Sequence, residues 1–100
     1  MPTLICYDIT KNSLRAKLAK KIIAAGLDRV NKSVYLGTIK SSSLTALEQD
    51  IVAILATKSN PTDSVIVLPV NGEQIRQMRV YGSNALDKEE LTGEKSTLIV

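Results

Sequence analysis

Two short segments are apolar on both of their alternating faces, and this feature most limits the folds open to the chain. Residues 3–9 read TLICYDI and residues 64–70 read SVIVLPV. Successive side chains of a strand point to opposite faces, so a strand that is apolar at nearly every position is covered on both sides. We therefore predict a central strand over residues 3–9 and a second strand that is apolar on both faces over residues 64–70.

Between these strands the apolar residues recur at helical spacing. A first helix is expected to begin at a cap, Asn12 or Ser13, and to end near Ala25, where Gly26 stops it. A second helix is expected over residues 44–57, after capping by one of Ser41 to Ser43. The predicted buried stripes are Leu14, Leu18 and Ile22 in the first helix, and Leu44, Leu47, Ile51 and Leu55 in the second.

Residues 28–40 (DRVNKSVYLGTIK) indicate extended structure broken near Asn31 and Lys32, either as a tight hairpin or as a bent strand. The element order is then strand, helix, strand, strand, helix, strand. This order predicts an α+β, ferredoxin-like βαββαβ domain with an antiparallel sheet and both helices on one face.

Two features of the sequence do not fit a single ferredoxin-like domain. The two-sided strands need a cover on the second sheet face, and further strand-like segments follow at residues 79–82 (RVYG) and 96–100 (STLIV). We predict a domain over residues 1–82 that includes a short fifth strand. A C-terminal extension over 83–100 would place residues 96–100 on the sheet of a partner. A second copy of the chain would cover the bare face, so a homodimer is expected.

The composition excludes several classes of catalytic site and metal site. The chain of 100 residues has no histidine, which excludes Ser-His and Cys-His catalysis and any His-ligated metal site. Cys6 is the single cysteine and lies in an apolar run, so we expect a buried thiol. With no disulfide framework, no signal peptide pattern and no apolar run near the roughly 20 residues that span a bilayer, the chain is expected to be cytoplasmic and not membrane-bound.

The charge is distributed unevenly. Residues 1–40 carry eight Lys or Arg and two acids, a net charge of +6, while residues 41–100 carry five cations and eight acids, a net charge of −3. A basic front half favours a phosphate-bearing partner, and a solvated surface is the alternative. Asp8 is the single acid in the first 27 residues, and one carboxylate alone makes a poor catalyst and a poor metal site.

Five segments in order resemble the CRISPR-associated protein 2 family: LICYDIT, LRAKLAKKI, GLDRVNKSVYLG, DSVIVLPV and MRVYG. The resemblance spans residues 4–82. It implies a dimer of ferredoxin-like subunits stacked sheet against sheet, with the C-terminal strand of each crossing to the other. It also implies that Asp8 faces its symmetry mate, so that two carboxylates share one Mg²⁺ or Mn²⁺ per dimer.

The resemblance implies two activities and does not choose between them. One is an adaptor in CRISPR spacer acquisition, where the dimer bridges the integrase and holds prespacer DNA. The other is a metal-dependent endonuclease acting on single-stranded RNA or double-stranded DNA. A toxin-type small endoribonuclease that shares the fold is the alternative, so the sequence leaves enzymatic activity open.

The same resemblance implies most of the site residues, and Lys20 and Lys21 extend the basic face beside them. The expected catalytic set is Tyr7, Asp8, Arg15 and Arg29, with Asp8 as metal ligand. The expected nucleic-acid-binding set is Arg15, Lys17, Lys20, Lys21, Arg29 and Tyr35. Asp8 could instead cap the first helix, the cations could be solvated, and Tyr35 could serve packing. Asn31 and Lys32 depart from the family pattern, which puts a substrate role of that turn in doubt.

Overall fold

The computed structural model describes residues 2–57 and 59–82. It has an α+β fold in which a four-stranded antiparallel sheet is combined with three helices. The helices and strands follow in the order β1 (Pro2–Asp8), α1 (Asn12–Ala24), β2 (Asp28–Asn31), β3 (Val34–Thr38), α2 (Ser41–Leu55), β4 (Ser64–Pro69) and α3 (Gly72–Gln77). No helix in these residues has the length and hydropathy needed to cross a membrane.

The sheet has the strand order β2-β3-β1-β4, and every neighbouring pair is antiparallel. The two segments with apolar residues on both faces, β1 and β4, pair with each other, with Tyr7 opposite Val65 and Asp8 opposite Ser64. Residues 28–40 contain a hairpin, since β2 and β3 pair around a turn at Lys32 and Ser33. The ferredoxin-like prediction is confirmed.

The main core lies between α1, α2 and one face of the sheet. In α1 the predicted stripe of Leu14, Leu18 and Ile22 is buried. In α2 the buried residues are Leu47, Ile51 and Ile54, while Leu44 and Leu55 are half-buried. The stripe is centred between Leu47 and Ile51. At about 100° per residue Ile54 falls inside it and Leu55 on its margin.

Both predicted helix starts were placed too late. Lys11 is the N-cap of α1 and Lys40 the N-cap of α2, and neither helix has a side-chain cap hydrogen bond. A lysine side chain has no acceptor atom and so cannot cap the first N–H groups. The predicted end of α1 is confirmed. Gly26 has φ of 100°, and the N–H groups of Gly26 and Leu27 donate to the carbonyls of Ile23 and Ile22.

The other face of the sheet, called the outer face below, is partly covered by α3, which the sequence analysis did not predict. The side chains that alternation places there include Leu4, Cys6, Asp8, Val34, Leu36, Ile66 and Leu68. Ile75 of α3 is 2% exposed and packs with Leu36 and Val70 in a second apolar cluster. Cys6, expected to be buried, is half-buried.

The β4 end of the outer face is left uncovered by the described residues. Ile66 is 57% exposed and Leu68 is 51% exposed. Residues 79–82, predicted as a short strand, form no strand within the single chain. The predicted partner-pairing strand at residues 96–100 and the rest of the extension over 83–100 lie outside the described residues.

Candidate nucleic-acid interface and the Asp8 strand end

The end of β1 presents two functional candidates on opposite faces of the sheet. Tyr7 packs against the core under α1 and α2, and is half-buried. Asp8 follows it directly, so its side chain points to the outer face, where it is exposed. The predicted catalytic set is thereby split, because Arg15 and Arg29 lie on the Tyr7 side.

On the helix side, a cavity of about 310 Å³ lies between α1 and the β2–β3 hairpin; we call it the basic pocket. Three cations line it, and no acidic residue does. Its lining residues are Tyr7, Asn12, Arg15, Ala16, Ala19, Arg29, Lys32, Ser33 and Tyr35. The fold thus brings together Tyr7, Arg15, Arg29 and Tyr35 from the predicted site.

Each cation reaches the pocket from a different element. Arg15 lies in the first turns of α1, one turn below Ala19. Arg29 lies on β2 directly opposite Tyr35 of β3, so the two side chains share the pocket face. Lys32 belongs to the hairpin turn, where the Asn31 side chain accepts a hydrogen bond from the backbone N–H of Lys32 at 2.8 Å. The turn that departs from the family pattern therefore supplies one of the three charges.

Two tyrosines form the floor of the pocket. Their rings stack with centroids 5.9 Å apart, and their hydroxyl oxygens lie 3.2 Å apart. Tyr35 is 2% exposed. Burial raises the pKa of Tyr35 to about 12, aided by the hydrogen bond and charge of Tyr7 and opposed by Arg29. A ring buried in this way has no open face for a base, which favours the packing alternative for Tyr35.

The three lysines of the predicted binding set lie outside the pocket. Lys21 is 3.9 Å from a carboxylate oxygen of Asp50 on α2, and Lys17 lies one turn earlier on the same flank. Lys20 lies about 200° around the helix from Leu18, on the outward side. All three are exposed, so they form a convex strip, called the lysine strip, beside the concave pocket.

Asp8 does not cap α1. The acid that orders the β1–α1 loop is Asp63, just before β4. One Asp63 oxygen accepts from the Thr10 N–H at 3.0 Å and the Thr10 hydroxyl at 3.1 Å, and the other accepts from the Asn60 N–H at 3.0 Å. No role for Asp63 was predicted from the sequence, although Asp is a residue that orders such turns.

A metal site at Asp8 needs more than one chain. Among the described residues no group of three His, Cys, Asp or Glu side chains could hold a metal ion. Asp8 is exposed at the end of β1 with Ser64 opposite on β4. One exposed carboxylate per chain fits a hard cation that keeps most of its waters, provided that a second carboxylate comes from a partner.

Comparison with known proteins identifies the family of the chain. The family model described as CRISPR associated protein Cas2 matches residues 1–78. A CRISPR-associated endoribonuclease Cas2 of Aeropyrum pernix is 30% identical over 84 residues, covering 84% of this chain and 88% of that protein. A protein of the same description from Korarchaeum cryptofilum is 34% identical over 83 residues, covering 82% and 85% of the two chains.

Solved structures share the fold. Streptococcus pyogenes Cas2, crystallised at pH 6.5, matches with a TM-score of 0.69 at 20% identity, covering 82% of this chain and 100% of that one. A hypothetical protein from Thermus thermophilus matches with a TM-score of 0.68 at 27% identity, covering 85% and 94%. The family model spans most of the chain and the relatives cover it at comparable length. The chain belongs to the CRISPR associated protein Cas2 family.

Proposed function

We propose that this protein is a homodimeric adaptor of CRISPR spacer acquisition, which bridges the integrase and holds prespacer DNA. We further propose that paired Asp8 residues support metal-dependent endonuclease activity on RNA or DNA. The observation that carries the proposal is the chemical difference between the two sides of the sheet. Cations gather on the helix side, and an uncovered apolar surface ending in Asp8 occupies the outer face.

The outer face supports the dimer. Cys6 lies between Val34 and Ile66 in one cross-strand row, and Leu4 lies between Leu36 and Leu68 in the next. Burying the exposed part of such rows is favourable in proportion to the apolar area removed from water. In a contact with two-fold symmetry the same surface meets itself, which brings the two Asp8 carboxylates toward each other if the axis passes near the end of β1.

The helix side supports nucleic-acid binding. The basic pocket and the lysine strip together carry Arg15, Lys17, Lys20, Lys21, Arg29 and Lys32. Lys and Arg side chains gain affinity for a phosphate backbone by releasing its counterions, so binding is insensitive to base sequence and weakens with salt. The dimer would present this helix-side surface twice, once on each subunit, as a bridging role requires.

For the endonuclease activity, the two Asp8 side chains would hold one Mg²⁺ or Mn²⁺ per dimer. Two close carboxylates repel each other, and a cation between them removes the repulsion. When bound, such an ion supplies electrophilic activation of a phosphodiester. Arg15 and Arg29 lie across the sheet from Asp8 in the same chain, so within that chain we assign them to holding the nucleic acid.

An Asp8→Asn variant tests the assignment. Mg²⁺- or Mn²⁺-dependent cleavage should be lost, while sedimentation should still give a dimer. Binding to duplex DNA should be kept or strengthened, because two negative charges leave the dimer. Asp28→Asn is the matched control, since Asp28 is another exposed acid at a strand end, on β2.

Three results would contradict this proposal in separate ways. Cleavage that persists in contaminant-free Asp8→Asn protein would place the chemistry elsewhere. A monomer at micromolar concentration would remove the shared site. A wild-type dimer that fails to bind either nucleic acid or the CRISPR integrase in a pull-down would refute the adaptor function.

A further inference from the structure

The basic pocket carries positive charge that no acid neutralises within the described residues. Arg15, Arg29 and Lys32 line one cavity and form no ion pair with residues 2–57 or 59–82. Lys21 of the lysine strip, by contrast, has Asp50 nearby. Three like charges around one cavity repel each other unless an anion enters. The pocket is therefore suited to a ligand of concentrated negative charge.

Neutral hydrogen-bond donors line the same cavity. Two tyrosine hydroxyls that share a single hydrogen bond use one of their two hydrogens, which leaves the other to donate elsewhere. Asn12 and Ser33 add an amide and a hydroxyl. Charged and neutral donors converging on a concave site are the arrangement that binds phosphate oxygens.

We propose that the basic pocket binds a phosphate monoester, either the terminal phosphate of a nucleic-acid strand or the phosphate of a free mononucleotide. This inference deepens the proposed function by naming a ligand class for one part of the nucleic-acid surface. It separates two tasks: the lysine strip contacts the continuous backbone, and the basic pocket takes a strand end.

Charge favours a monoester over a backbone diester. A phosphate monoester carries about −1.5 to −2 charges at pH 7, whereas each backbone diester carries −1. The pocket presents three cations to it. The monoester therefore gains the larger electrostatic attraction, and the advantage should shrink below about pH 6, where it takes up a proton.

The tyrosine pair lies beneath the charged groups of the pocket. The stacked pair of Tyr7 and Tyr35 closes the floor, and Tyr35 is 2% exposed. The convex lysine strip has no such floor and suits a duplex that runs along the surface.

The test compares oligonucleotides that differ in the end group alone. Fluorescence anisotropy of the full-length protein is measured with a labelled strand that carries a five-prime phosphate, a three-prime phosphate or hydroxyls at both ends. We expect a terminal phosphate to tighten binding by about tenfold, the effect of one added charge-assisted contact. Equal affinity for all three strands would rule out recognition of a strand end by the pocket.

Two lysine substitutions serve as a matched pair. Lys32→Gln removes a charge inside the pocket, and Lys17→Gln removes one from the lysine strip. Both should weaken binding overall, because each removes a phosphate contact. Only Lys32→Gln should reduce the ratio of affinities for phosphate-ended and hydroxyl-ended strands, toward one. An unchanged ratio in Lys32→Gln and also in Arg15→Gln would place the end recognition outside the pocket and overturn the proposal.

A second experiment adds either adenosine monophosphate or adenosine to the protein. The chemical shifts of the backbone amides report the binding. Shifts at Asn12, Arg15 and Ser33 with the monophosphate alone support the proposal for a free mononucleotide. If the monophosphate binds but no oligonucleotide does, the pocket inference stands and nucleic-acid binding fails. If oligonucleotides bind without regard to their ends and the monophosphate does not bind, nucleic-acid binding stands and the pocket inference fails.

Discussion

At the scale of single residues, Tyr35 shows how a buried polar group is accommodated. Its ring belongs to the main core, and the Tyr7 hydroxyl, 3.2 Å away, gives its own hydroxyl a partner. Without such a partner a buried hydroxyl would cost free energy. Removing either hydroxyl should therefore take away the hydrogen-bond partner of the other.

Alkaline titration gives the first prediction. The pKa of Tyr35 is raised to about 12 from an ordinary value of 10.0, so the folded state keeps its proton where the unfolded state loses it. The resulting stability is complete below pH 10 and is lost as pH rises through 12. Absorbance of tyrosinate should show one late-titrating group that Tyr35→Phe removes. Its persistence in Tyr35→Phe protein would assign the shift to another tyrosine.

Asp63 gives the second prediction. Partial desolvation pushes the pKa of Asp63 upward, but hydrogen bonds from Asn60 and Thr10 outweigh it, so the pKa lies below the ordinary 3.8. Its ionised form therefore stabilises the fold above pH 3.8, and this contribution is lost as pH falls through the lower folded-state pKa. Asp63→Asn should lower the free energy of unfolding in urea at pH 7, and the difference should narrow in acid.

Asp50→Asn is the control for that experiment. Asp50 interacts with Lys21 at 3.9 Å on the surface, an ion pair of a kind worth about 0–1 kcal/mol. Asp50→Asn should lower the free energy of unfolding at pH 7 by less than Asp63→Asn does. If both variants lose the same amount at every pH, the hydrogen bonds of Asp63 do not stabilise the loop.

At the scale of elements, the sequence predicted the helices that are marked by repeated apolar spacing and missed the short helix that lacks such spacing. Three buried residues at intervals of four identify α1. The six-residue α3 buries Ile75 alone, so no period is visible in it. Its signal is local: Asn71 and Gln74 form a capping box with two hydrogen bonds of 2.8 Å.

The third prediction concerns α3. Ile75 is 2% exposed and anchors the helix on Leu36 and Val70. Ile75→Ala should lower the free energy of unfolding by about 3 kcal/mol through lost burial and the cavity left behind. Ile23→Ala makes the same change on α1 at a side chain that is 55% exposed, and should cost less than about 1 kcal/mol. Equal losses in chemical denaturation would mean that α3 does not pack on the outer face.

At the scale of the whole molecule, the apolar content of β1 and β4 on both faces predicted that the sheet is covered on two sides. It did not reveal that α3 supplies part of the second cover, nor which residues stay exposed. For the candidate site, the family resemblance grouped Asp8 with Arg15 in one catalytic set. The alternation of β1 sends Tyr7 and Asp8 to opposite faces, because the strand is still extended and paired at Asp8, which lies opposite Ser64.

The fourth prediction tests the outer face as the dimer contact. Ile66→Lys places a charge on the uncovered part of that face, and should raise the dimer dissociation constant by at least about a hundredfold, because a buried unpaired charge costs several kcal/mol. Val52→Lys is the control, at a side chain on α2 that is 68% exposed. Sedimentation should find the first variant monomeric with its helix content kept. A dimer in both variants would move the contact elsewhere.

The position of β4 at the edge of the sheet has a consequence for handling the protein. Among the described residues β4 pairs with β1 alone, so its far side offers unpaired backbone N–H and C=O groups beside Ile66 and Leu68. An open apolar edge promotes indiscriminate strand pairing and aggregation. If dimerisation covers this edge, dilution exposes it again, and the measured melting temperature should rise with protein concentration.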